Sequence, residues 1–208
     1  MTAHLPISIA ASRITNLTDA RYFAAKEVDI LGFNLEEGTE GYLDPMYMKA
    51  IREWVQGPKI MGEFDRTPAH TVREAALFYG LDAVQVTQAA GLEALAGLEV
   101  LLALAGPASA AEAEALMQPV AGAVAGFVLD FSGRPQAGQE LLEQAAAWQA
   151  LFARYPVRLL LDVAPERLPV ILEALQPAGL VLRGGEEEKV GVKSFEQIDA
   201  IFELLGLD

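Results

Sequence analysis

Polar and charged residues stand directly after short apolar runs at several points of this chain. Ser12 and Arg13 follow Ile7 to Ala11, and Asn34 ends the run that starts at Val28. Phe64 to Arg66, Gln85 to Thr87, Asp130 and Asp162 occupy similar places, as do Arg183, Gly184 and Gly185. The residue types suit proton transfer on a small anionic molecule. Asp130 and Asp162 can give or take a proton. Arg13 and Arg183 can hold an anion, and a Gly184-Gly185 pair offers the free backbone N–H groups a phosphate wants. Asn34 and Gln85 can orient a ligand by hydrogen bonds. The Ser12 hydroxyl reacts only if a neighbour activates it. No metal site is indicated, because His4 and His70 fall elsewhere and the carboxylates show no ligand spacing. The chain has no Cys, which excludes disulfides and thiolate chemistry and suits the reducing cytoplasm.

These positions matter only if the apolar runs are strands that end together. Ile7 to Asn34 reads as strand, loop, helix, strand, with Asn16 or Thr18 as cap and Asp19 in the first helical turn. The unit then recurs. Further strands are expected at Lys59–Phe64, Ala83–Val86, Val100–Leu104, Gly126–Asp130, Arg158–Asp162 and Leu180–Arg183. Helices are expected from Asp44-Pro45 to about Val55, from a Thr67 cap with Pro68 to Tyr79, and over Ala89–Leu95 and Ser109–Met117. Three more follow at Gln139–Phe152, Pro165–Leu175 and Ser194–Leu205, the last with Ser194 and Gln197 at capping-box spacing.

Eight strands alternating with eight helical segments imply an α/β chain with a parallel sheet covered by helices. Eight such units close into a single-domain (β/α)8 TIM barrel spanning residues 1–208, compact against the ~250 residues usual for that fold. The alternative, an open doubly wound sheet, normally carries a Gly-rich turn after its first strand, where this chain has AASRIT. In a barrel the carboxyl ends of the strands form one rim, so the polar positions above would converge there. Hydrophobic residues make up 52% of the chain, enough for a barrel core, but no apolar run reaches the length of a membrane span. A net charge of −14 argues against nucleic acid and anionic membranes as partners.

Several local strings, in order, resemble phosphoribosylanthranilate isomerase, the small (β/α)8 barrel of tryptophan biosynthesis. They are ITNLTDARYFAAKEVDILGFN, YLDP, MGEF, YGLDAVQV and PAGLVLRGG followed by GVKSFEQIDAIFE. The resemblance implies an Amadori aldose–ketose isomerisation of a phosphoribosyl amine, without a cofactor, in a cytoplasmic monomer or homodimer. It places the acid at Asp130 and the base at Ser12, where the family has Cys. It places substrate and phosphate contacts around Arg13, Asn34, Gln85, Asp162, Arg183, Gly184 and Gly185. Other family positions differ: the family's Lys is Ala10, the Gly after its base is Arg13, its Arg is Gly41, and the strand-seven glycines are replaced by LLD ending at Asp162. Asp162 and Glu186 are the expected partners of Arg183. These differences carry an alternative: a barrel that has lost the reaction and binds a small anionic ligand or a protein partner.

Overall fold

The computed structural model describes residues 7–184, 187–189, 192–193 and 195–207. Its centre is a closed barrel of eight parallel strands, each hydrogen-bonded to the next in chain order and the last to the first. The strands are β1 (Ser8–Ser12), β2 (Ile30–Asn34), β3 (Lys59–Phe64), β4 (Ala83–Val86), β5 (Glu99–Ala105), β6 (Gly126–Asp130), β7 (Val157–Leu160) and β8 (Gly179–Arg183). A short antiparallel pair, β9 (Glu187–Lys189) and β10 (Val192–Lys193), follows β8. The fold is therefore a (β/α)8 barrel.

Two apolar layers hold it. Side chains alternate across a strand, so every second residue faces the barrel axis. One inward residue per strand, namely Ala10, Ile30, Met61, Ala83, Leu101, Val128, Leu160 and Val181, packs into a buried ring. The outward residues, among them Ile9, Leu31, Phe33, Ile60, Phe127 and Leu180, pack beneath the helices in a second, larger core. Small and large residues mix in the inner ring, which lets eight side chains fill a narrow interior without a pore.

The connecting helices are α1 (Leu17–Ala25), α2 (Pro45–Arg52), α3 (Ala69–Tyr79), α4 (Ala110–Met117), α5 (Ala137–Glu143), α6 (Ala145–Phe152), α7 (Leu168–Leu175) and α8 (Glu196–Leu205). Asn16 caps α1 by accepting from Asp19 N at 2.9 Å, and Asp44 and Ser109 cap α2 and α4 in the same way. Four expectations need correction. The piece near residue 92 is a single 3-10 turn, Leu92–Leu95. The span read as one helix over Gln139–Phe152 breaks at Gln144 into α5 and α6. A 3-10 turn at Pro165–Arg167 precedes α7, which starts at Leu168 with Pro169 in its first turn, where proline is tolerated. Thr67 does not cap α3, because its hydroxyl donates to Glu36 instead. The Ser194 cap lies outside the described residues.

Trp148 on α6 is the largest fully buried side chain, set edge-on to Phe131 with ring centres 6.0 Å apart. Its indole N–H has no hydrogen-bond partner. Trp148→Ala should therefore lower unfolding free energy by about 3–5 kcal/mol. Trp148→Phe keeps a ring in place and removes the unpaired donor, so it should cost less than about 1.5 kcal/mol. Urea unfolding of the two variants beside the parent chain checks the difference.

Candidate functional site

One step above the inner apolar ring, the same alternation places Ser12, Gly32, Glu63, Gln85, Ala103, Asp130 and Arg183 toward the barrel axis. Ser12 pairs with Arg183 across β1 and β8, and Asn34, Glu63 and Gln85 stand in register across β2, β3 and β4. Above them opens a cavity of about 400 Å³, lined by these residues except Gly32 and also by Arg13, Glu36, Thr39, Glu40, Asp65 and Thr87. That volume suits a small metabolite.

Glu63 is the residue that sequence reasoning missed. It was counted with the apolar run MGEF, yet it points the other way from Phe64. Its side chain is 7% exposed and lies across Gly32, where a β-carbon would collide with its carboxylate. Burial pushes the Glu63 carboxyl above the usual range. The nearby Ser12 hydroxyl, the Arg13 N–H (3.4 Å) and the charges of Arg13 and Arg183 pull against that shift without cancelling it.

Asp130 has different company. Its Oδ1 accepts from the Ser132 N–H at 2.8 Å and from the Ser132 hydroxyl, and its Oδ2 faces the Arg183 guanidinium at 3.4 Å. Arg183 also donates to the Ser132 hydroxyl at 2.9 Å. Arg183 thus stands between the two carboxyls, bonded to one and acting through its charge on the other. The expected Arg183–Asp162 pair does not form. β7 ends at Leu160, two residues before Asp162, so the Asp162 carboxylate leaves the barrel axis and accepts from the Gly133 N–H at 2.7 Å. Glu186, the other expected partner, and Gly185 lie outside the described residues. Gly184 follows β8 and, like Asp162, does not line the cavity.

Arg13 sits at φ +55, in the left-handed region that favours glycine. Holding a β-carbon there costs on the order of 1–3 kcal/mol, and such strain concentrates at binding sites. The conformation is the one a glycine would supply, which fits the alignment of Arg13 with a glycine in the resembled family. Asn34 lines the wall, but its amide is fully engaged: Nδ2 donates to Thr39 Oγ1 at 2.9 Å and to the Glu40 carbonyl at 2.8 Å, and Oδ1 accepts from Glu36 N at 3.0 Å. It shapes the loop after β2. Gln85 lines the cavity with no hydrogen bond to the described residues. Arg134 turns away, bonding the Gly106 carbonyl and pairing with Glu140.

The rim is fixed by a second buried carboxylate, Glu36. Its Oε2 accepts from the N–H groups of Asp65 (3.0 Å), Arg66 (3.1 Å) and Thr67 (3.1 Å) and from the Thr67 hydroxyl (2.7 Å). Burial alone would raise its proton affinity, but these four donors outweigh it and hold the carboxyl below the usual range. Glu36 therefore gathers the loop after β3 into the shape that presents Asp65 to Thr87.

No protein-family model matches the chain, and no curated protein sequence matches it. Solved structures do. The phosphoribosyl anthranilate isomerase from Thermotoga maritima superposes with a TM-score of 0.77 at 18% identity, over 96% of this chain and 98% of that one. The enzyme of the same name from Thermus thermophilus gives 0.73 at 27% identity, with the same coverage. A 3-hexulose-6-phosphate synthase gives 0.64 at 19% identity, over 97% of this chain and 99% of that one.

The two carboxylates should leave opposite marks on stability. Glu36, with a lowered folded pKa, contributes stability that is complete above the unfolded value of about 4.3 and is lost as pH falls through the folded one. Glu36→Gln should therefore cost about 1–3 kcal/mol near neutrality, the usual worth of hydrogen bonds to a charge, and less in acid. Glu63, with a raised folded pKa, contributes stability that is complete below about 4.3 and is lost as pH rises through the folded value. Glu63→Gln should gain on the parent chain as pH rises. Denaturant titrations across that range check both signs. By fold, the chain is a (β/α)8 barrel of the phosphoribosylanthranilate isomerase kind.

Proposed function

We propose that the barrel is an aldose–ketose isomerase acting on a phosphoribosyl amine, in the cytoplasm and within the chemistry of tryptophan biosynthesis, with Glu63 and Asp130 as its proton-transfer pair. The observation that carries the reading is the unequal setting of two carboxyls on one cavity floor: Glu63 is buried and pushed toward its protonated form, and every contact on Asp130 comes from a donor. Pairs of acids whose environments are driven apart mark out a proton donor and a proton acceptor.

An Amadori rearrangement needs both. Glu63 gives its proton to the ring oxygen of the aminoaldose. The ring C–O bond breaks as the nitrogen lone pair forms a C=N bond. Asp130 then takes the proton from the adjacent carbon, whose bonding electrons form a C=C bond and neutralise the iminium nitrogen. Tautomerisation of that enol gives the aminoketose. Ser12, the position the resemblance gives to the base, has the smaller task of positioning Glu63, since a hydroxyl is a poor base unaided. Arg183 and Arg13 take the substrate's anionic end, with Gly184 beside them, and Gln85 supplies a free amide. The phosphoribosyl anthranilate isomerases that share the fold act on such a substrate by their name.

A second reading has its own observation. Arg183 is already shared between Asp130 and Ser132, so the cation that would greet an anion is engaged in the free protein. A barrel that binds a small anion without turning it over would look the same.

Turnover of phosphoribosylanthranilate, followed as product formation, separates the two. On the isomerase reading, Glu63→Gln and Asp130→Asn each lower kcat at least ~10²-fold, the usual worth of a positioned acid or base. Gly32→Ala, which moves Glu63 without removing it, should cause a similar loss. Because Glu63 acts as the donor, the rate should fall as pH rises through its raised pKa. A parent chain that binds the substrate analogue but shows no turnover would establish the second reading instead.

A further inference from the structure

The helices around the barrel should show one apolar face, toward the strands. α2 shows two. Met48 and Ile51 are buried against the barrel, while Met46 (61% exposed), Tyr47 (50%), Ala50 and Trp54 (70%) form a stripe on the solvent side at helical spacing. The last turn of α3 adds Leu77 (64% exposed) and Phe78 (76%). The two helices are tied at their ends. Arg52 donates to the Gly80 carbonyl and pairs with Asp82 at 3.4 Å, which brings the chain around Trp54 beside the chain around Phe78. Scattered apolar residues on a surface need no explanation, but a contiguous group of two aromatic-bearing helix faces marks a docking surface. Trp, Tyr, Phe and Met are also the residue types that interface centres favour.

The geometry points to a second copy of this chain as the occupant, joined across a two-fold axis through α2 and α3. Area is the first argument. Aromatic side chains carry about 150–250 Å² each. At the exposures above, the five large side chains offer on the order of 600 Å², most of the ~800 Å² per partner that a stable interface uses, and the flanking residues supply the rest. Charge is the second. Two chains of net charge −14 repel over most of their surfaces. This face is close to neutral. Arg52 is satisfied by Asp82, Arg73 by the carbonyls of Ala94 and Ala96, and Lys49 stands opposite in sign to Glu53 and Glu74. An isologous contact places each patch against itself, so Lys49 of one copy can meet Glu53 or Glu74 of the other. A basic protein would find its complement elsewhere on so acidic a surface.

Light scattering on the full chain after size-exclusion chromatography tests this. The parent chain should run at twice the chain mass at micromolar concentration. Trp54→Glu and Phe78→Glu should each give a monomer with an unchanged circular dichroism spectrum, as expected for exposed positions. A parent chain that is monomeric, or a dimer that survives both substitutions, overturns the proposal. Fluorescence gives a reading that needs no variant. Trp148 is buried and Trp54 exposed in the single chain, so iodide should reach Trp54 only as dilution separates the dimer. Quenching that does not change with dilution counts against it.

Discussion

A ring of eight inward side chains, one from each strand, is the constraint on which the rest of the molecule depends. It closes the barrel from inside and leaves no room for water below the cavity floor. It also sets the phase of every strand. Once Ala10, Met61, Ala83, Val128 and Val181 face inward, Ser12, Glu63, Gln85, Asp130 and Arg183 must do so two residues later. The polar floor and the apolar ring are thus one pattern, and a slip of one residue in any strand would exchange both for the outer layer.

Glycine completes this arrangement at one point. Gly32 has its turn to face inward beside Glu63, and the absence of a side chain there lets the Glu63 carboxylate cross toward β1. The carboxyl reaches Ser12 and the Arg13 N–H while staying out of water. A buried acid with too few donors to offset its desolvation holds its proton more tightly. Glu36 shows the converse within the same loop region: as deeply buried, it meets four donors and releases its proton more readily. Local donors, rather than depth, decide what each carboxyl does.

The regular part of this was legible in the sequence. Alternation and turn residues located eight strands, and the rule that a barrel's carboxyl ends share a rim brought Ser12, Arg13, Asn34, Gln85, Asp130 and Arg183 to one cavity. What escaped reading depended on contacts distant in the chain. Thr67 looks like a cap because Pro68 follows it, but Glu36, 31 residues earlier, takes its hydroxyl. Asp162 looks like a strand end, but β7 stops at Leu160 and the carboxylate is drawn to Gly133 instead. No Gly or Pro marks the break at Gln144 between α5 and α6. Glu63 could have been found: in MGEF it is the one charged residue in a buried strand, and it falls in phase with Met61.

The cavity floor is better understood as a balance of paired charges than as a loss of older ones. Five carboxylates and two guanidinium groups line the cavity, yet Glu36 and Asp65 are occupied at the rim, which leaves Glu63 and Asp130 facing Arg13 and Arg183. That inner set is neutral when all four are ionised, and it carries one positive charge when Glu63 keeps its proton. Holding Glu63 protonated therefore does two things: it loads the donor and makes the floor attractive to an anion. An entering anion would in turn favour a protonated Glu63 beside it. Ligand binding and proton uptake are coupled through Arg183, which acts on both carboxyls at once.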